Sequence, residues 1–122
     1  MLTIYTASLS RYRSVKKRNV PLIDITVKSG IATFAPEPSV LWAYKRGEVS
    51  DDLYTQLYLE RLKQQCRTSH EVFESFLLNE GEVCVACYCA HGKFCHRHIF
   101  VPFMIDLAED NGYLLRYGGE IL

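Results

Sequence analysis

Seven residues between positions 84 and 98 can carry chemistry: Cys84, Cys87, Cys89, His91, Cys95, His96 and His98. Thiols and imidazoles at short spacing are zinc ligands, and Cys84-x-x-Cys87 starts such a pattern. The residues around them argue against it. EVCVACYC (82–89) is apolar and β-prone, so it reads as a buried strand whose side chains alternate between faces. Cys84 and Cys87 then point opposite ways, while Cys87 and Cys89 share a face about 7 Å apart. This spacing favours small buried thiols over a metal site. Neither a metal nor a cofactor is expected.

The same letters support a second chemistry. The strand ends near Cys89, the loop Ala90-His91-Gly92-Lys93-Phe94 follows, and Cys95-His96-Arg97 opens a helix. A helix N-terminus offers free amides and the positive end of a dipole. With His91, Gly92, Lys93 and Arg97 it makes an anion site suited to phosphate or carboxylate. If the protein is an enzyme, Cys95 or Cys89 is the nucleophile and His96 or His91 the acid–base partner, supported by Asp24.

Other elements must bring these residues together. Strands are predicted over 2–7, 20–27, 82–89 and 113–117, the last broken by Gly118-Gly119. The near-continuous apolar run in 20–27 predicts a strand buried on both faces. A helix is expected over 51–66, capped by Ser50, with Leu53, Leu57, Tyr58 and Leu62 on one side. Ser69 caps a shorter helix carrying Val72, Phe73, Phe76 and Leu77. A third helix, 96–110, contains Pro102, which calls for a kink or a late start. KSGIATFAPEPS (28–39) is a loop with an extended piece near 31–34, and 40–45 is a short helix or part of a lid.

Alternating strands and helices define the fold class as α/β. We expect one domain over 1–122, three-layered, with a mostly parallel sheet of four to five strands and helices on both faces. Thr6, Ser8 and Arg11 then follow the first strand, and Asp24 and Thr26 end the second, all at the mouth shared with Cys89. Trp42, Tyr44 or Phe34 on the long connection can cover a flat ligand.

Fourteen basic residues balance 14 acidic ones, which argues against charge-driven nucleic-acid binding. No apolar run is long enough to span a membrane, and the first residues lack a signal-peptide pattern. The chain is expected in the cytoplasm, its five cysteines reduced. The terminal Ile121-Leu122 leaves a homodimer open.

VCVACYCAHGKFCHRHI (83–99) resembles the signature of the domain-of-unknown-function 488 family. That signature is an apolar strand ending in cysteine (Cys89), a polar residue two positions on, then Cys-His-Arg (Cys95-His96-Arg97) opening a helix. His91 stands where the family's loop usually has an acid. Tyr5-Thr6, Leu22-Ile23-Asp24, Trp42-x-x-Lys45 and the helix near Tyr58 agree with the resemblance. It implies a compact α/β fold with the motif at the mouth of the sheet, and no particular activity. Small versions of the family look similar to proteins of phages and mobile elements, so the host cytoplasm is the expected location of a phage-encoded copy.

Together these readings give an expected function: capture of a small phosphorylated, nucleotide-derived molecule, as in a phage sink for an immune signal. The residues expected to hold it are Thr6, Ser8, Arg11, Asp24, Thr26, Trp42, Cys89, His91, Gly92, Lys93, Cys95, His96 and Arg97. The alternatives are a cysteine-dependent enzyme on a nucleotide or phosphoester, and a small zinc-binding or protein-interaction domain.

Overall fold

The structure, a computed structural model, describes residues 1–122. Four parallel strands form one sheet in the order β2-β3-β1-β4: β1 (Leu2–Ser8), β2 (Leu22–Asp24), β3 (Gly81–Cys87) and β4 (Leu115–Glu120). Five helices accompany them: α1 (Tyr12–Lys17), α2 (Pro38–Lys45), α3 (Asp51–Thr68), α4 (His70–Leu77) and α5 (Arg97–Asp110). The chain passes from β1 to β2 in one direction along the sheet, and from β2 to β3 and β3 to β4 in the other. Right-handed crossovers then place α1 on one face and α2–α5 on the opposite one. The cores follow that division. Leu2, Ile4, Val83 and Val85 pack under α3, α4 and α5, whereas Ala7 and Cys84 meet Val15 of α1 together with Val20 and Ile121.

Three strands differ from their predicted extents by two residues or more. β2 has three residues rather than eight and lies at the sheet edge, with Leu22 exposed. Pro21 has no amide to donate. At the other end, the Asp24 carboxylate accepts the Thr26 amide at 2.8 Å and turns the chain away. β3 stops at Cys87, so Cys89 lies in the loop beyond it.

β4 runs through Gly118-Gly119 instead of breaking there. Ile4 pairs with Tyr117 and Tyr5 with Gly119, so Gly118 is the extra residue of a bulge. The Tyr5 ring fills the space where a Gly118 side chain would stand, and Gly119 takes φ 106°. A one-residue bulge reverses the facing of everything after it. It thereby decides on which face Glu120 arrives.

The buried stripe of α3 is Tyr54, Tyr58 and Leu62, a strict i, i+4, i+8 row, while Leu53 and Leu57 are exposed. The 28–50 connection is not a loose lid. Residues Ala32–Phe34 form a 3₁₀ turn, not an extended piece. Phe34 is 1 % exposed and packs on Phe73, Phe76 and Phe100 at centroid distances of 5.0, 5.7 and 5.0 Å. Each such pair is worth about 0.5–1.5 kcal/mol beyond its buried area. From α3, Arg61 donates to the carbonyls of Ala35 (2.7 Å) and Ala32 (3.3 Å). Phe34 is therefore a core anchor and not a ligand cover. Pro38 at the first turn of α2 and Gly47 after its last fix the helix that presents Trp42.

Candidate functional site at the carboxyl ends of the strands

β1 and β3 are neighbours whose onward connections leave in opposite directions. The space beyond the ends of two such strands is where open α/β sheets bind ligands. Ser8 and Cys87 end those strands in register. Beyond Cys87 the loop curls back, and the sulfurs of Cys87, Cys89 and Cys95 all lie within 4.8 Å of one another. The alternation argument against a cluster fails because Cys89 is no longer in the strand. It holds for Cys84, which faces the α1 side and is fully buried. Burial pushes its thiol up to about 12, so it is an inert packing residue.

Arg97 organises the mouth. It was expected to hold an anionic ligand, but it is 0 % exposed and points inward. Its Nε and Nη2 grip the Glu120 carboxylate at 3.1 and 2.8 Å. Its Nη1 donates to the Cys89 carbonyl at 2.8 Å and the Cys87 sulfur at 3.1 Å, and Nη2 reaches the Ala90 carbonyl at 3.3 Å. All donors of the fork are used, so none is left for a ligand. Burial by itself raises the Glu120 carboxyl, but hydrogen bonds from Arg97, Thr6 and His91 outweigh it and hold it down at about 2. Glu120 was not singled out from the sequence. Its only signal was an acid after two glycines, and the bulge that delivers it is a tertiary feature.

His96 is the second buried group, 4 % exposed. Its Nε2 lies 2.8 Å from the Ile25 carbonyl, which can only accept, so Nε2 carries the proton. Nδ1 is then an unprotonated lone pair, 3.7 Å from the Cys95 sulfur. Burial drives the imidazole down to about 4, reinforced by the Arg97 and Lys45 charges and opposed by the Ile25 carbonyl and Asp24. Edge-on contact with the Tyr58 ring at 5.5 Å fixes its plane.

The other expected site residues divide. Asp24 is a loop cap: its two oxygens take the Thr26 amide and the Ser29 hydroxyl, the latter at 2.6 Å. These bonds lower its carboxyl despite the opposing effect of burial. Ser8 is buried and caps the 3₁₀ turn Leu9–Arg11, and Thr6 is buried against the Tyr117 hydroxyl at 2.6 Å. Neither has a free group at the mouth. Arg11 and Lys93 are exposed, and His91 is tied to Glu120 at 3.1 Å. Gly92, at φ 81°, permits the turn closed by the Lys93 amide on Ala90. The anion cradle expected at the start of α5 is not formed: the His98 and Ile99 amides bond Cys95 and His96 carbonyls. Tyr44 turns away to donate to Asp51 and stacks on Tyr54.

A cavity of about 410 Å³ opens beside the cysteines, beyond β2 and β3. Thr26, Val27 and Lys28 form one side, Leu41, Trp42 and Lys45 of α2 another, and Tyr88, Cys89 and His96 the floor. Trp42 is 53 % and Tyr88 57 % exposed, so both offer ring faces to an incoming molecule. Lys45 Nζ sits 5.1 Å from the Trp42 ring centre. The Tyr88 hydroxyl meets Ser29 at 3.1 Å, which ties the floor to the β2 loop.

Residues 3–106 match DUF488-N3a, described as the active DUF488-N3 subclade. The chain belongs to the DUF488 family. The match includes β1 to β3 and most of α5, hence every cysteine and histidine of the mouth, but stops before Glu120. No curated protein and no solved structure matches the chain. In this DUF488 member the Cys-His-Arg triplet has three separate tasks: Cys95 joins the sulfur cluster, His96 floors the cavity, and Arg97 pins β3 to β4. No helix is long and apolar enough to cross a membrane.

One residue tests how the cavity wall is held. A Cβ on Gly30 would run into the backbone of Asp24 and Thr26. Gly30→Ala is expected to cost about 1–3 kcal/mol, as overpacking does, and to open the Asp24–Ser29 turn. Urea denaturation reads the first effect. Faster amide exchange at Thr26 and Ser29, ahead of the sheet, reads the second.

Proposed function

We propose that this DUF488 domain binds a small, flat, anionic molecule, nucleotide-derived, in the cavity beyond β2 and β3. The observation that carries this reading is the pairing of two exposed aromatic rings, Trp42 and Tyr88, with two ammonium groups, Lys28 and Lys45, around one apolar space. Its volume is within the range of small-molecule sites, which are mostly apolar with a few placed polar groups. Base stacking on an aromatic ring contributes about 1–3 kcal/mol. The lysines supply the phosphate contacts first assigned to Arg97. Trp42 is the only tryptophan, so its emission reports the cavity directly. A nucleotide panel, including cyclic and dinucleotide forms, is expected to contain a member that shifts it. Trp42→Ala should then weaken binding of that member, followed by calorimetry, by about 5- to 150-fold. No response from any nucleotide at millimolar concentration, or unchanged affinity in Trp42→Ala, sinks the proposal.

A second reading, turnover of the bound molecule, draws on Cys89, a free half-buried thiol in the cavity wall, and on the word active in the subclade's description. The imidazole lone pair in the site faces Cys95 rather than Cys89, and Cys95 is 3 % exposed. The geometry therefore favours binding. Mass spectrometry of each nucleotide after incubation separates the two readings: unchanged mass with bound ligand supports capture, and a product lost in Cys89→Ser supports catalysis.

A further inference from the structure

We propose that Cys87, Cys89 and Cys95 together bind one zinc ion through three thiolates. This goes beyond the cavity reading and does not depend on it. Two thiolates on a tetrahedral zinc, each about 2.3 Å from the metal, lie about 3.8 Å apart. The three sulfurs all lie within 4.8 Å of one another, with those of Cys87 and Cys95 in direct contact, so parting that one contact brings the set to this spacing. They come from three separate places: the end of β3, the loop after it and the residue before the α5 cap. Loop and element-end ligands converging from short spacings are the usual construction of a thiolate zinc site.

A disulfide is the competing account, since the Cys87 and Cys95 sulfurs meet. Their Cα atoms are 7.7 Å apart, wider than the roughly 4.4–6.8 Å of ordinary disulfides. A metal between the sulfurs tolerates that width, and it also accounts for Cys89, which a disulfide leaves over. The surroundings suit charged sulfur. Arg97, fully buried, donates to the Cys87 sulfur at 3.1 Å, and the N-terminus of the 14-residue α5 starts two residues after Cys95. Three protein ligands are the number of a zinc that keeps a position for water or substrate. Cys89, one of the three, is also in the cavity wall.

The test is a cobalt titration of the full, reduced chain without oxygen, followed by zinc displacement. One equivalent of Co²⁺ should give an intense sulfur-to-cobalt band and tetrahedral visible bands, both removed by one equivalent of Zn²⁺. Cys89→Ser and Cys95→Ser should each lower zinc affinity at least about 100-fold, more than the 10–100-fold loss from removing a ligand's supporting partner. Cys66→Ser, remote from the mouth, should bind like the wild type. Because a serine variant can fail to fold, alkylation of the unmodified chain gives a second readout: zinc should shield Cys89 from iodoacetamide while Cys66 reacts at its metal-free rate. Cobalt bound without a sulfur band, no stoichiometric binding, or equal Cys89 labelling with and without zinc overturns the site. Unchanged nucleotide affinity in Trp42→Ala, which sinks the cavity reading, leaves the zinc site standing, so the two proposals fail separately.

Discussion

Arg97→Met is expected to destabilise the fold by about 3–5 kcal/mol, the loss typical when one member of a buried ion pair is removed. The size follows from what the guanidinium holds. It is 0 % exposed, bonds Glu120 through two nitrogens and reaches the Cys89 and Ala90 carbonyls and the Cys87 sulfur. Methionine fills the volume but leaves Glu120, whose side chain is 9 % exposed, without its partner. Glu120→Gln keeps the shape and strands the cation instead. The double variant Arg97→Met/Glu120→Gln should recover part of the loss, because no lone charge stays buried. Arg97→Lys should lie between, since one ammonium cannot reproduce the fork. Urea midpoints of the four proteins measure the cycle. A loss below about 1 kcal/mol in Arg97→Met means that the buried network is not what closes the sheet at β4.

That network explains why the motif misleads when read for charge. A sequence shows Cys-His-Arg after a glycine loop, and arginine there suggests phosphate. Whether the fork points outward or inward depends on what arrives beside it. Here Glu120 arrives from β4, 23 residues away, by way of a bulge at Gly118. Local pattern cannot register that. The four parallel strands and the helices over 51–66 and 96–110 were legible because burial leaves its period in the residues. Asp24 shortens β2 by a side-chain turn onto the Thr26 amide that an apolar run conceals, and Gly118-Gly119 bends β4 through its pairing with β1, so their boundaries were not. The cysteine cluster was hidden for a related reason. Alternation holds only inside a strand, and β3 ends two residues earlier than its apolar composition implies.

Two features of the site correct each other physically. The mouth loses Arg97 as an anion receptor but gains Lys28 and Lys45 on the flanks of the cavity. These lysines stand on the β2 loop and on α2, the segment that Phe34 and Arg61 pin to the core. The ligand reading thus moves from the helix N-terminus to the long connection, while the helix N-terminus is left to the sulfurs. The proposed anion contact and the proposed thiolate site are separate but adjacent, with Cys89 and His96 in the cavity wall between them.

His96 predicts how that wall responds to acid. Its folded imidazole is held at about 4 against an ordinary 6.5. Between those values the unfolded chain takes up a proton that the folded one refuses, so stability rises with pH across this window. Read downward, the fold should lose up to about 1.4 kcal/mol per pH unit below 6.5, or about 3 kcal/mol by pH 4. His98, also lowered by burial, adds to the slope in the same direction. Glu120 acts in the next window: its carboxyl is lowered to about 2, so its contribution is present above about 4.5 and disappears as pH falls toward 2. The measurement is a series of urea midpoints from pH 7 to 3 on the chelator-treated, reduced chain, where no metal competes for the sulfurs. His96→Gln keeps a donor for the Ile25 carbonyl and has no proton to gain, so between pH 6.5 and 4.5 its curve should keep only the smaller slope from His98, and it should still fall below 4.5. A wild-type curve that is flat down to pH 4.5 means that the imidazole is charged or reachable by water in the folded chain. The neutral floor of the cavity, and the tautomer that aims Nδ1 at Cys95, would fall with it.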